Sequence, residues 1–347
     1  MKLLLKLIIL FVLSACAQES PPLHKAKVLS FGTYVDVTLY GVTEERARKA
    51  ILQVEEQLNV MHDQWHAWRP SNITALNDKL RSGKQFTIDA GMLPLVTQSK
   101  KLYSASNGYF NPAIGELIEL WGFYKDDPQS NKSIPEASVI EDYVSNLPTM
   151  DDVHIENDLV SGSNSRLKLD FGGYAKGYGV EQLIHYLRQN DIENALINAG
   201  GDIKGIGSVG NRAWKVAIKN PKTEAPLAWL ELKDNESIFS SGSYLRYFEY
   251  EGKRFHHIIN PKTGFPSEGP SATTVITEDA AVADAAATAL MIAPQEEWLD
   301  IAKAMGITHF LIIDAQGTLY CDDLFAKRLQ LITTEQQLTI VGALIQK

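Results

Sequence analysis

The chain has 347 residues, room for one large domain or two of ordinary size. Hydrophobic residues make up 45% and charged residues 22%, the balance of a soluble globular protein with a substantial core. A formal charge of -9 with no basic stripe excludes nucleic acid as a partner, because phosphate binding needs clustered Lys and Arg.

The N-terminus is the first informative segment. Lys2 and Lys6 precede an unbroken apolar run from Leu7 to Leu13. That run is too short to cross a bilayer as a helix, which takes ~20 apolar residues, and it fits the apolar region of a secretory signal. It ends in Leu13-Ser14-Ala15-Cys16, which resembles the cleavage box of bacterial lipoproteins. On that reading residues 1–15 are a signal peptide and Cys16 becomes the lipidated first residue of the mature chain. An ordinary signal cut after a small residue, with Cys16 incidental, is the plainer alternative. Residues 16–27 then form a polar linker, and 28–347 form the folded part. The other cysteine, Cys321, follows the apolar Thr318-Leu319-Tyr320 and reads as a buried structural thiol. With Cys16 lipidated, no intramolecular disulfide can form.

The alternation of Val35, Val37 and Leu39 with Asp36, Thr38 and Tyr40 predicts one long first strand over 28–40. Ala47, Ala50, Ile51, Val54, Leu58 and Met61 recur at helical spacing and predict a helix over 44–63. A second helix is predicted over 91–104, with Pro94 tolerated in its first turn and Gly108 beyond its end. The stretch 125–148, rich in Asp, Ser, Asn and Pro, reads as a long loop or an internal boundary. A short strand over 166–170 then leads into a helix over 176–189. From 195 to 259 the pattern becomes short strands separated by Gly and Asn-Pro turns. An alanine-rich helix over 280–292, a shorter one over 295–305, and strands near 308–313 and 328–332 complete the chain. Strands in runs with helices grouped between them predict α+β architecture rather than regular βαβ winding.

Three clusters bear chemistry. Asp284 and Thr288, in Ala283-Asp284-Ala285-Ala286-Ala287-Thr288, stand at i and i+4 on one helix face. A carboxylate beside a hydroxyl offers hard oxygen ligands, suited to magnesium or calcium rather than zinc. Spacing alone favours the plainer reading, a solvated Asp and a Thr bonded to its own backbone. The second cluster is Asp170-Phe171-Gly172-Gly173-Tyr174-Ala175-Lys176-Gly177, a strand entering a glycine pair and a helix start. There free N–H groups and the helix dipole can meet a phosphate, and Lys176 can add a point charge. Glycines also occur at such turns for purely steric reasons. The third is His256-His257-Ile258-Ile259-Asn260-Pro261-Lys262-Thr263-Gly264. Adjacent histidines on a strand face opposite sides, so at most one of them serves a given site, and a satisfied core histidine is the common outcome. The Asn-Pro-Lys-Thr-Gly turn holds the strand end.

Together with Phe31-Gly32-Thr33, Trp68, Ser71 to Asn77, Phe110 to Gly115, Leu120 to Phe123, Asn198 to Asp202 and Ser241 to Tyr244, these segments keep a single order. In that order the chain resembles the flavin transferases first described as thiamine-biosynthesis lipoproteins, the FAD:protein FMN transferases, from about Ser30 to about Ile292. The resemblance implies antiparallel sheets with packed helices in a T-fold-like duplicated core, with the active site between its two parts. It implies magnesium on the side chains of Asp284 and Thr288 and the carbonyl of Gly173. That reverses the plainer reading of the helix pair. It further implies flavin contacts at Phe31, Trp68, Phe110, Asn111, Asp170, Lys176 and Ile258, and a catalytic role for His257. The implied reaction moves FMN from FAD to a Thr or Ser hydroxyl of a target protein through a phosphodiester, releasing AMP. Targets include subunits of membrane redox pumps, which suits a periplasmic enzyme tied to a membrane by a lipid. Water in place of the acceptor makes the chain an FAD pyrophosphatase, and loss of catalysis makes it a lipid-anchored flavin-binding protein. The sequence departs from the family pattern at Phe31, Asn111, Gly173, Ser243 and Asn260. Asn111 and Asn260 remove charge near the site, whereas Gly173 is harmless where the ligand is a carbonyl.

Overall fold

The first predicted strand is in fact a hairpin. Leu23–Ser30 (β1) pairs antiparallel with Thr33–Tyr40 (β2), and Phe31 and Gly32 form the two-residue turn between them. Both turn residues have positive φ, 51° and 71°, as a type I′ hairpin requires. A bulky aromatic in that region is uncommon, and nothing in the alternation of the flanking residues announces it. The hairpin also corrects the linker reading, because residues 23–27 are paired with 36–40. This computed structural model describes residues 21–125, 127–130, 133–223, 225–332 and 337–342. The predicted signal 1–15 and Cys16 lie outside the described residues. No described helix is long and apolar enough to cross a membrane.

The helix α1 (Glu44–Gln64) starts where Thr43 caps the N–H of Arg46, and it buries Ala47, Ala50, Val54, Leu58 and Met61. α2 (Asn72–Arg81) was not anticipated. Ser71 and Thr74 form a reciprocal capping box at its start, which satisfies N–H groups that would otherwise lack partners. β3 (Phe86–Thr87), α3 (Leu93–Ala105) and α4 (Gly115–Leu120) follow, with Pro94 in the first turn of α3 as expected. The segment read as a loop carries α5 (Ala137–Ser145), whose Ile140 and Tyr143 are buried. Next come β4 (Val153–Glu156), β5 (Leu159–Gly162) and α6 (Ala175–Gln189). The strand expected over 166–170 is absent. Lys168 instead makes an isolated bridge with Ile114, and Asn77 clamps both backbone groups of Leu169.

The strand-rich part holds β6 (Ala195–Ala199), β7 (Asp202–Ile206), β8 (Trp214–Lys219), β9 (Pro226–Leu232), β10 (Ser237–Gly242), β11 (Tyr247–Tyr250), β12 (Lys253–His256) and β13 (Ala272–Thr277). Then follow α7 (Ala280–Ile292), α8 (Trp298–Ala304), β14 (His309–Ile313), β15 (Leu319–Cys321), α9 (Asp323–Arg328), β16 (Gln330–Leu331) and β17 (Leu338–Ile340). The predicted strand over 328–332 thus shrinks to β16. Cys321 is buried, as expected, and burial pushes its thiol up to about 12, with Asp322 adding to the effect.

Among the described residues a nine-stranded sheet runs β1-β2-β6-β7-β10-β13-β14-β15-β17, antiparallel except between β15 and β17. The architecture is α+β, as predicted. The helices α1, α2, α3, α6, α7 and α8 cover one face around the largest core, while β8, β9, β16 and α9 cover the other. A third, smaller core stands apart. It joins Ile114, Leu117, Trp121 and Phe123 around α4 to Ile140 and Tyr143 of α5, and to Phe248 and Phe255 of the β11–β12 hairpin.

The site depends on how closely α7 lies against α6. Asp279 caps α7 through the N–H groups of Ala281 and Val282, worth about 1 kcal/mol. The alanines of α7 are buried on every side, so the sheet and α6 can both approach. Gly177 sits at the contact, where a Cβ would stand 2.2 Å from the Ala280 carbonyl oxygen and 2.7 Å from Asp284 Cβ.

Candidate active site

A cleft of about 590 Å³ opens between the main core and the smaller one. Phe31, Trp68, Phe110, Asn111, Asp170 and Gly173 line it, and so do Lys176, His257, Ile258, Asp284 and Thr288. Every described residue assigned to the site from sequence is therefore brought to one cavity.

The α7 side carries the charge. Asp284 is 5% exposed, so the solvated-helix reading is wrong for it. One of its oxygens, Oδ2, accepts the Gly177 N–H at 2.8 Å, and Oδ1 stands 3.6 Å from Lys176 Nζ. Burial raises the Asp284 carboxyl above the ordinary carboxylate range, and Asp202 adds to this, while Lys176 and the Gly177 N–H oppose it. Burial pulls the Lys176 ammonium down, but Asp202 and Asp284 outweigh it and hold it above the usual lysine value. Thr288 does bond its own helix, donating to the Asp284 carbonyl at 3.3 Å, and its Oγ1 is also 3.5 Å from Ser241 Oγ. A Cβ on Gly173 would meet Thr288 Oγ1 at 3.2 Å, so the glycine turn and the helix pair face one another.

That turn differs from expectation in its N–H groups. The Gly172 N–H goes to Asp170 Oδ1 at 2.6 Å, and those of Tyr174 and Ala175 go to the Phe171 carbonyl. With the Gly177 N–H on Asp284, these donors are engaged within the chain and do not form a free phosphate cradle. Burial raises the Asp170 carboxyl, and the Gly172 N–H and the Trp68 side chain partly offset the rise. Lys168 Nζ lies 4.4 Å above the Trp68 ring. Asn111 sends its amide to the Pro148 carbonyl at 2.9 Å and accepts the Ala113 N–H at 3.1 Å. Its side chain braces the wall it stands in. Phe31, at the hairpin tip, stacks on Trp65 with centroids 6.2 Å apart.

The opposite wall carries the histidines, and they divide as the strand rule predicts. His256 is buried and bonds the Ser267 carbonyl at 2.7 Å, a satisfied core histidine. His257 lines the cleft, with Nδ1 3.0 Å from the Arg246 carbonyl. A carbonyl only accepts, so the proton sits on Nδ1, and Nε2 is left as the bare nitrogen. Burial lowers the ring to about 4, which the Arg246 carbonyl partly opposes. The ring is therefore neutral near pH 7. Beyond it, the Asn260 carbonyl accepts the Thr263 and Gly264 N–H groups, and Trp121 Nε1 donates to the Gly264 carbonyl at 2.8 Å. The turn is thus locked onto the smaller core.

A charged residue of the cleft that received no role from the sequence is engaged with Lys176. Asp202, at the start of β7, is buried, pairs with Lys176, and accepts the Ser240 N–H on Oδ1 at 2.8 Å. Its only sequence signal is its place in Asn198-Ala199-Gly200-Gly201-Asp202. Among the described residues, no three His, Cys, Asp or Glu side chains gather as a metal cluster. Oxygens of this wall that could meet a cation include those of Asp284 and Thr288 and the Gly173 carbonyl.

Comparison with known proteins identifies the family. A family model described as the ApbE family matches residues 31–311. A Rhodobacter capsulatus protein named FAD:protein FMN transferase is 36% identical over 302 residues, covering 87% of this chain, which spans 57% of that relative's length. A Haemophilus influenzae protein of the same name is 26% identical, covering 87% of this chain and 89% of its own. The crystal structure of the ApbE protein of Thermotoga maritima matches with a TM-score of 0.80 at 27% identity, over 88% of this chain and 99% of that one. With the model spanning both walls of the cleft, the chain belongs to the ApbE family.

Proposed function

We propose that this cleft moves FMN from FAD to a threonine or serine hydroxyl of another protein, through a phosphodiester bond, and releases AMP. The observation that carries this reading is the meeting of His257 with Asp284, Thr288 and Lys176 across one cavity. The relatives' name supports it.

In this reaction the bare Nε2 of His257 takes the proton of the acceptor hydroxyl. The freed oxygen bonds to the phosphorus on the FMN side of the pyrophosphate. The bond from that phosphorus to the bridging oxygen breaks, and AMP leaves with the electron pair. A neutral, pre-aligned imidazole suits proton removal, which typically contributes ~10²–10⁴-fold. Lys176 supplies a fixed positive charge toward the pyrophosphate, where transfer depends on positioning and neutralised charge. Phe31 and Trp68 offer flat faces to the ring systems.

Asp284, Thr288 and the Gly173 carbonyl would hold magnesium. The fit is chemical: these are hard oxygen donors, and two buried carboxylates share the single Lys176 ammonium, which leaves room for another positive charge. Bound there, magnesium neutralises charge on the pyrophosphate.

A lipid on Cys16 would hold the enzyme on the periplasmic side of a bacterial membrane, beside acceptors such as flavinylated subunits of membrane redox pumps. The test is the mass of a candidate acceptor before and after exposure to the chain, FAD and magnesium. A gain of one FMN residue with AMP release is expected, and an unchanged mass with intact FAD sinks the reading. AMP without any acceptor modification points to hydrolysis instead.

A further inference from the structure

Lys176 is shared unequally between two buried carboxylates, and the inequality is informative. Each carboxylate spends one oxygen on a backbone N–H: Asp202 Oδ1 on Ser240 and Asp284 Oδ2 on Gly177. Each turns its other oxygen to Lys176. Asp202 Oδ2 is in direct contact with Nζ, whereas Asp284 Oδ1 stands 3.6 Å away. Asp284 Oδ1 is thus the less occupied of the two. Both side chains are under a tenth exposed, so water screens neither strongly.

We infer that Asp202 is a positioning residue that holds the Lys176 ammonium off Asp284, so that an oxygen of Asp284 stays open to a divalent cation. The inference rests on the magnesium site proposed above and gives Asp202 a task there without making it a ligand. Without the Asp202 charge, Lys176 turns wholly to Asp284. The pair is then neutral, and the ammonium occupies the position and the charge that a cation needs. With Asp202 present, the ammonium is already matched and Asp284 keeps its full negative charge for the metal. The same contact fixes where Lys176 points, so one carboxylate sets both the lysine and the open ligand.

Asp202→Asn is suited to the test because the amide oxygen can still accept the Ser240 N–H. The full chain is titrated calorimetrically with magnesium chloride alone, in the absence of FAD. Asp202→Asn is expected to weaken magnesium by about 10–100-fold, the scale of one lost charge at this range in a poorly screened site. Adding Lys176→Met to it is expected to restore most of that affinity, because the competing ammonium is gone. Lys176→Met alone, which leaves both carboxylates in place, is expected to bind magnesium at least as tightly as the unaltered chain. Undiminished binding by Asp202→Asn overturns the inference, as does a double variant that stays weak. If Asp202→Asn does not fold, weaker binding by Lys176→Met alone overturns it and equal or tighter binding supports it. An unaltered chain that takes up no magnesium removes the metal site and this inference together.

Discussion

The two walls of the cleft are built by opposite means. On the α7 side, Asp284, Thr288 and Lys176 stand on long helices packed against the nine-stranded sheet, with glycine and alanine at the contacts. On the other side, His257 and Ile258 follow a two-stranded hairpin that is held by aromatic side chains and one turn of backbone bonds. On the proposed function, the charged wall needs closeness, because a cation held there would tolerate little displacement of its oxygens. The histidine wall needs only to aim one nitrogen, and a ring whose other nitrogen is bonded to a carbonyl is already aimed. Small residues serve the first purpose and large ones the second.

The largest expected effect tests the aimed nitrogen. His257→Ala should lower transfer by ~10²–10⁴-fold while flavin binding persists, measured as acceptor flavinylation against quenching of FAD fluorescence. Equal loss of both would make His257 a binding residue. Next is the core behind it. Trp121 is 1% exposed, stacks on Phe255 at 5.6 Å and donates to the Gly264 carbonyl. Trp121→Ala should cost about 3–5 kcal/mol in chemical denaturation, and the loss should reach His257 through the loosened turn.

The matching change on the charged wall is smaller in atoms. Gly177→Ala puts a methyl 2.2 Å from the Ala280 oxygen and should cost about 1–3 kcal/mol as α6 and α7 separate. If the closeness of that wall matters as argued, magnesium affinity should fall more than thermal stability suggests. A variant with unchanged magnesium binding would contradict the contrast between the walls.

The last effect is on pH. The folded His257 value, about 4, lies below its ordinary 6.5. Between those values the unfolded chain binds the extra proton, so this residue's contribution favours folding above pH 6.5 and is lost as pH falls toward 4. His257→Asn should flatten that part of the stability curve, read from urea midpoints across the window. With magnesium saturating, the acid limb of kcat/KM set by His257 should lie near 4 rather than near 6.5. Asp284 shifts the opposite way. Its carboxyl is raised, so magnesium affinity should begin to fall above the pH at which an exposed aspartate would protonate.

How much was legible depends on whether the signal was local. The helix α7 runs over 280–292 in both readings, because Asp279 is a strong cap and the alanine run has a single conformational preference. The i, i+4 spacing of Asp284 and Thr288 was plain, yet spacing does not say whether a helix face meets water or protein, and burial decided that. The hairpin tip at Phe31 was hidden because a bulky aromatic rarely takes the positive φ that a two-residue turn requires. The helix α5 was hidden by the polar residues around it, although Ile140 and Tyr143 are one turn apart. Asp202 and Lys176 are 26 positions apart, and no periodicity relates them.

The sequence alone determined the helices α1, α3, α6 and α7, the α+β class, the order of the motifs and the limit that His256 and His257 cannot both serve one site. These follow from short-range rules: capping, side-chain period and the alternation of strand faces. The tertiary structure decided that Asp284 is buried, that Lys176 is shared between two carboxylates, and that the N–H groups of Gly172, Tyr174, Ala175 and Gly177 are spent within the chain. Those depend on which distant segments come to rest against one another, and in a site this poorly screened a few ångströms of approach set the charge balance.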